Sequence, residues 1–113
     1  MTNTKGANDK DLSGHPLNLL NLLDYQQGAI VSRTIVDQKA GTVTLFAFDQ
    51  GEGLSEHTAP FDALIYLLEG HALITISGEE HQLGPGEMLI MPANHRHAVR
   101  AASPLKMLLV MIR

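Results

Sequence analysis

Apolar and polar positions divide this chain into three unequal parts. Residues 1–16 are rich in Asn, Asp, Lys, Gly and Ser and have no apolar periodicity, which predicts a flexible tail ahead of a single domain over 17–113. Leucines at 19, 20, 22 and 23 have the i, i+3, i+4 spacing of a short helix over 18–24, with Asn18 as its N-cap and its apolar face on the flank of the β-rich region. From Gly28 onward the period changes. Short β-rich runs at 29–36, 42–48, 64–68, 72–77, 81–83, 88–91, 98–101 and 105–112 alternate with Gly, Pro, Asn and acidic turn residues. Ser77-Gly78-Glu79 predicts a hairpin turn, Gly84-Pro85-Gly86 a tight corner, and Asn94 a left-handed backbone position. About eight short strands with almost no helix predict an all-β antiparallel sandwich or barrel.

Two of these runs do not alternate. Leu64–Leu68 and Leu105–Ile112 are apolar on both faces, so both faces are expected to be covered. Either they are central strands buried within one chain, or a second copy of the chain supplies the cover. The small size of the domain favours the second copy, a homodimer.

Composition narrows the function classes. The 113 residues suffice for one compact domain and leave no room for two. Hydrophobic residues make up 44 % but aromatics only 4 %, so the core is aliphatic. With no Trp, two Tyr and three Phe, base-stacking platforms are not available. Eight basic against twelve acidic residues give a net charge of −4, which argues against nucleic-acid partners and anionic membranes. The absence of cysteine excludes disulfides, thiolate catalysis and zinc–thiolate sites, leaving His and carboxylate as the main side-chain metal ligands. With no apolar secretory core at the N-terminus and no membrane-length apolar run, the expected location is cytoplasmic.

Chemistry is concentrated in two stretches, GEGLSEHTAPFDALIYLLEG from Gly51 to Gly70 and GEMLIMPANHRH from Gly86 to His97. Their glycines, Pro92 and histidines resemble the two motifs of the cupin family. In that family the first motif opens on Gly, presents His-x-His after five residues, then a Glu, and closes on Gly. The second runs Gly, five residues, Pro-x-Gly, then His. Gly51, His57, Gly70, Gly86, Pro92 and His97 match, and Asn94 replaces the Gly. The resemblance spans about residues 28–112. It implies a cupin jelly-roll barrel, a double-stranded β-helix of the RmlC-like kind, a frequent habit of dimerising, and one divalent metal (Fe, Mn, Ni, Cu or Zn) held by three histidines and a glutamate. The chain departs from that ligand set: Ala59 stands at the second histidine, Ala63 at the glutamate and Ala101 at a terminal Asn.

The reason for His-x-His is that positions 57 and 59 of one strand share a face and aim both rings inward. With alanine at 59 and 63 half the cage is missing, and two histidines do not make a firm divalent site. His95, two residues before His97, is the leading replacement: it joins the site if the backbone is extended and packs beside the barrel mouth if Asn94 breaks the parity. Asp62 is the lesser candidate. Glu56, His71 and His81 are expected to face outward, and His15 falls in the tail.

Three functions remain. In the first, the chain binds a small organic ligand in an aliphatic barrel pocket with His57 and His97, and His95 if it turns inward, as polar contacts. In the second, it is a metal-dependent enzyme of the dioxygenase, decarboxylase or isomerase type, with His57, His97 and His95 on the metal. In the third, a histidine serves as general acid–base without metal. There is no nucleophile elbow, phosphate loop or zincin pair.

Overall fold

The computed structural model describes residues 12–113. The first eleven residues of the expected tail lie outside the described residues. Nine strands run in chain order: β1 (Ile30–Gln38), β2 (Gly41–Phe48), β3 (Gly53–His57), β4 (Asp62–Glu69), β5 (Ala72–Ile76), β6 (Glu79–Leu83), β7 (Met88–Met91), β8 (His97–Ala101) and β9 (Leu105–Ile112). They form a five-stranded sheet, in the order β1-β2-β9-β4-β7, and a four-stranded sheet, β3-β8-β5-β6. Every pairing is antiparallel. The chain alternates between the sheets as it proceeds, which is the jelly-roll arrangement. All the predicted strand runs are strands; β3 was not among them.

Turn chemistry fixes the register. Ser77 and Gly78 both have positive φ, 48° and 85°, the two-residue hairpin geometry that matches strand twist, and they join β5 to β6. Asn94 has φ 66°, as its place in the second motif predicts. Gly70 has φ 85° and sits against the backbone of Pro104 and Leu105, so its lack of a side chain is required on two counts.

The core lies between the sheets. Phe48, Ile65, Leu67, Ile74, Leu105 and Met107 are fully buried there, from β2, β4, β5 and β9. Each full burial of such a side chain contributes about 1.5–3 kcal/mol. These residues are aliphatic apart from Phe48, as the composition requires.

The predicted helix over 18–24 is only a 3₁₀ turn, Leu19–Asn21. Asn18 does cap it, accepting from the Leu20 amide at 3.1 Å. Four leucines in seven residues with asparagines at 18 and 21 give too few turns for an α-helix to outweigh nucleation. The segment nevertheless covers the flank. Leu22 and Leu23 pack on Leu45 and Ala47, on the outer face of the five-stranded sheet. Lys106 and Arg33 latch it by donating to the carbonyls of Leu20 (2.6 Å) and Leu22 (3.1 Å). β4 and β9 are thus inner strands of their sheet, and one end of their outer face is covered by the chain's own N-terminal segment. No described helix is long and apolar enough to cross a membrane.

Candidate functional site

His57 ends β3 and His97 begins β8, and the two are direct cross-strand partners. Their juxtaposition depends on an irregularity. At the other end of the pair, Gly53 faces Arg100 and Leu54 faces Val99; that register would set residue 56 opposite His97. An extra residue in β3 between Leu54 and His57 shifts the register by one. Such a bulge flips the parity of everything beyond it, so Leu54 and His57 both face inward. Glu56 is turned out, 3.9 Å from Arg96.

The two imidazoles meet edge to face with ring centroids 4.4 Å apart, and their Nε2 atoms are 3.2 Å apart. His97 is 3 % exposed, whereas His57 is exposed at the mouth. The remaining ring nitrogens fix the tautomers. A carbonyl oxygen only accepts, so His57 Nδ1–H donates to Ser55 O at 2.7 Å and His97 Nδ1–H donates to His95 O at 3.2 Å. With both rings neutral, both Nε2 atoms carry lone pairs and face one another without a proton between them. Burial lowers the pKa of His97, and the neighbouring His57 lowers it further, against an opposing hydrogen bond to His95 O.

Around the pair lies a small apolar cavity of about 30 Å³, lined by Leu54, Ala59, Ala63, Ile65, Met91 and Met111 among others. One water needs roughly 10–15 Å³ by this measure, so the space takes about two waters or the tip of a larger molecule. Ala59 and Ala63 both line it, which places their methyls where the resemblance expects a histidine and a glutamate.

The replacement ligands are used elsewhere. His95 comes just after the turn at Asn94, whose amide donates to Ala59 O at 2.7 Å. Its exposed imidazole is hydrogen-bonded to Ser77 Oγ through Nδ1, at 3.1 Å, and does not line the cavity. Only its backbone carbonyl serves the site, by orienting His97. Asp62 accepts from the Ala93 amide at 2.8 Å and holds the loop of the second motif against β4. His71 is exposed, His81 lies 3.5 Å from Glu79, and His15 contacts Ser13 O. Among the described residues no group of three or more His, Asp or Glu side chains could hold a metal ion. Zinc takes three or four protein ligands, so this two-nitrogen donor set does not fit a resident ion of that kind.

Sequence reasoning had not singled out Leu54, Ile65, Met91 and Met111 as lining residues. Alternation within each strand would have found them, except at Leu54, where the bulge disrupts the count.

Comparison with known proteins agrees with this architecture. A conserved protein of unknown function from Streptococcus pyogenes superposes with a TM-score of 0.84 at 33 % identity, over 88 % of this chain and 87 % of that one. A cupin superfamily protein from Desulfitobacterium hafniense gives 0.83 at 30 % identity, over 87 % and 90 %. The tetracenomycin polyketide synthase protein TcmJ of Streptomyces glaucescens is 31 % identical over 72 residues, 63 % of this chain. Those residues amount to 48 % of TcmJ, so the chain spans about half of that protein's length. Residues 44–112 match the profile of the Cupin domain family, and the chain belongs to that family.

Proposed function

We propose that this cupin binds a small organic molecule at the barrel mouth, with His57 and His97 as its polar contacts and no resident metal. The observation that carries the reading is the pair of Nε2 lone pairs facing each other in an apolar cavity. Two acceptors in such a place are costly unless a donor satisfies them. A ligand bearing a hydroxyl or ammonium group supplies that donor. The cavity admits only such a head group, and the body of the ligand rests at the mouth beside exposed His57.

One distance favours a second reading, a metal-dependent enzyme. Two nitrogens each about 2.0–2.1 Å from one ion at a near-tetrahedral angle lie about 3.3 Å apart, close to the separation of the pair. Against it stand Ala59 and Ala63, which leave the ion two protein ligands.

The two readings separate in one experiment on tag-free protein. Metal content is measured by mass spectrometry after incubation with Fe²⁺, Mn²⁺, Ni²⁺ or Zn²⁺, for wild type and His57→Ala, and melting is followed with added phenol. Phenol is the first probe because it carries a hydroxyl donor on a compact apolar body, the two features the pair and its aliphatic lining call for. The proposal expects substoichiometric metal and a phenol-dependent rise in Tm that His57→Ala loses. Near-stoichiometric metal that disappears in His57→Ala would overturn it.

A further inference from the structure

A second concavity lies at the opposite end of the barrel from the histidine pair. In the four-stranded sheet Ile76, at the end of β5, aligns with His97, which aligns with His57. Ala72, at the start of β5, aligns with Leu83 and Ala101. Around that start is an open cleft of about 530 Å³, within the range of about 300–1,000 Å³ usual for small-molecule sites. Leu73, Leu83 and Ala102 give it an apolar lining, and His71, Gln82 and Glu87 are its polar side chains.

The backbone holds two of these three in place. Glu87 N donates to Gly84 O at 3.1 Å and Glu87 O accepts from Leu67 N at 2.9 Å, while the Glu87 Oε1 atom accepts from the Gly84 amide at 2.7 Å. His71 N donates to Ser103 Oγ at 2.9 Å, and His71 O accepts from Ala102 N at 3.0 Å. Both side chains flank Gly84. A Cβ there would stand 3.5 Å from Glu87 Oε1 and 3.9 Å from His71 Cδ2, so the carboxylate and the imidazole border one open point.

We propose that this cleft binds a small primary amine as its ammonium ion. Charge is the first argument. With His71 neutral, Glu87 brings one negative charge to the lining and no cation accompanies it. Arg100 aligns with Leu73 on the outer face of the sheet but does not line the cleft. An anionic ligand would therefore meet a carboxylate with nothing to offset it. Donor count is the second argument. An ammonium group has three donors and no acceptor, and Glu87, the Gln82 amide oxygen and the bare nitrogen of a neutral His71 ring supply three acceptors. The alkyl body of the amine lies along Leu73, Leu83 and Ala102. Because the turn at Gly84 and the backbone at His71 are already pinned, binding orders little that is loose.

The experiment is an amide ¹H–¹⁵N titration of the full chain near pH 7.5 with n-butylammonium chloride, with sodium chloride and n-butanol as controls. Saturable shifts are expected at the amides of Ala72, Leu83, Gly84 and Ala102 and not at Ser55 or His97, with a Kd on the order of 1–10 mM for so small a probe. n-Butanol lacks the charge and should bind at least about tenfold more weakly. Glu87→Gln keeps an oxygen for the Gly84 amide but removes the charge, and should raise the Kd at least about tenfold. Gly84→Ala is the second variant, should the first fail to fold. Its methyl meets its neighbours at ordinary contact distance and its φ is not positive, so the fold should persist. The methyl plugs the point between His71 and Glu87, and should raise the Kd at least about threefold. No saturable shift up to about 100 mM would overturn the proposal, as would n-butanol matching the ammonium. So would wild-type affinity in a folded Glu87→Gln or Gly84→Ala chain. Glucose shifting the same amides at lower concentration than the ammonium would also overturn it, since the cleft would then be a polyol site.

Discussion

Gly70→Ala is expected to be the most damaging single glycine substitution in the motifs, for a reason that divides into two measurable parts. Gly70 closes the first motif at φ 85°, and a Cβ there would stand 2.1 Å from Pro104 O and 2.8 Å from Leu105 Cα and Cβ. Left-handed backbone costs an L-residue about 1–2 kcal/mol. Relieving the contact means moving the backbone that leads into β9, and the expected total is about 3–4 kcal/mol, typical of strained special positions. Two controls isolate the contributions. Gly78→Ala has the same φ of 85° but nothing within 4 Å, so it retains the conformational cost alone, about 1 kcal/mol. Gly53→Ala has no positive φ but meets Val99 O at 2.3 Å, so it retains the contact alone. Thermal melting by circular dichroism should show Gly70→Ala at least about 12 °C below wild type and Gly78→Ala about 5 °C below. If Gly70→Ala melts within 2 °C of Gly78→Ala, the close approach to β9 contributes nothing and the reasoning fails.

Other expectations rest on the same structure. Ile65→Ala, at a fully buried position beside the histidine pair, should cost about 3 kcal/mol in urea unfolding with an unchanged m-value, while deepening the cavity for a larger ligand head. His97 has a lowered pKa in the folded state, so between its unfolded pKa of about 6.5 and its folded value the unfolded chain binds the extra proton. Stability should accordingly be full above about pH 6.5 and fall as the pH drops below it, with a slope of at most about 1.4 kcal/mol per pH unit from this residue. His97→Gln should flatten that part of the profile; an unchanged slope would show that another group causes it. Ala59→His/Ala63→Glu restores a four-ligand set, and should take up one equivalent of Mn²⁺ or Ni²⁺ by mass spectrometry. At 100 times its Kd the metal should stabilise that variant by about 2.7 kcal/mol, and metal without effect in the variant would mean that these positions do not converge on the pair.

Much of the fold was legible because its signals are local. Strand runs bounded by Gly, Pro and Asn, the Ser77-Gly78 hairpin and the left-handed Asn94 all depend on residues a few positions apart. β3 was missed for a physical reason: Gly-Leu-Ser-Glu-His has one apolar residue, and the bulge breaks the alternation that would mark it as a strand. The helix over 18–24 was over-read because the leucine spacing registers a face but not the cost of nucleating so short a segment. At the site, Gly51, Pro92 and the two histidines identified the position, and the alanines at 59 and 63 showed what the donor set lacks. The side chains of His95 and Asp62 could not be oriented from spacing, because their directions are set by partners distant in sequence, Ser77 and Ala93. The contact of His57 with His97 likewise depends on a register shift that one strand's sequence does not encode alone.

The central claim is that His57 and His97 present two unprotonated Nε2 atoms to a donor from outside the protein. Long-range ¹H–¹⁵N correlation of the imidazole nitrogens, recorded on metal-stripped wild type near pH 8, observes those atoms directly. The predicted spectrum has Nδ1 protonated and Nε2 bare in both rings, with both Nε2 signals moving when phenol is added and the Nδ1 signals nearly still. An Nε2-protonated tautomer in either ring, or Nε2 signals indifferent to the added donor, would contradict the account.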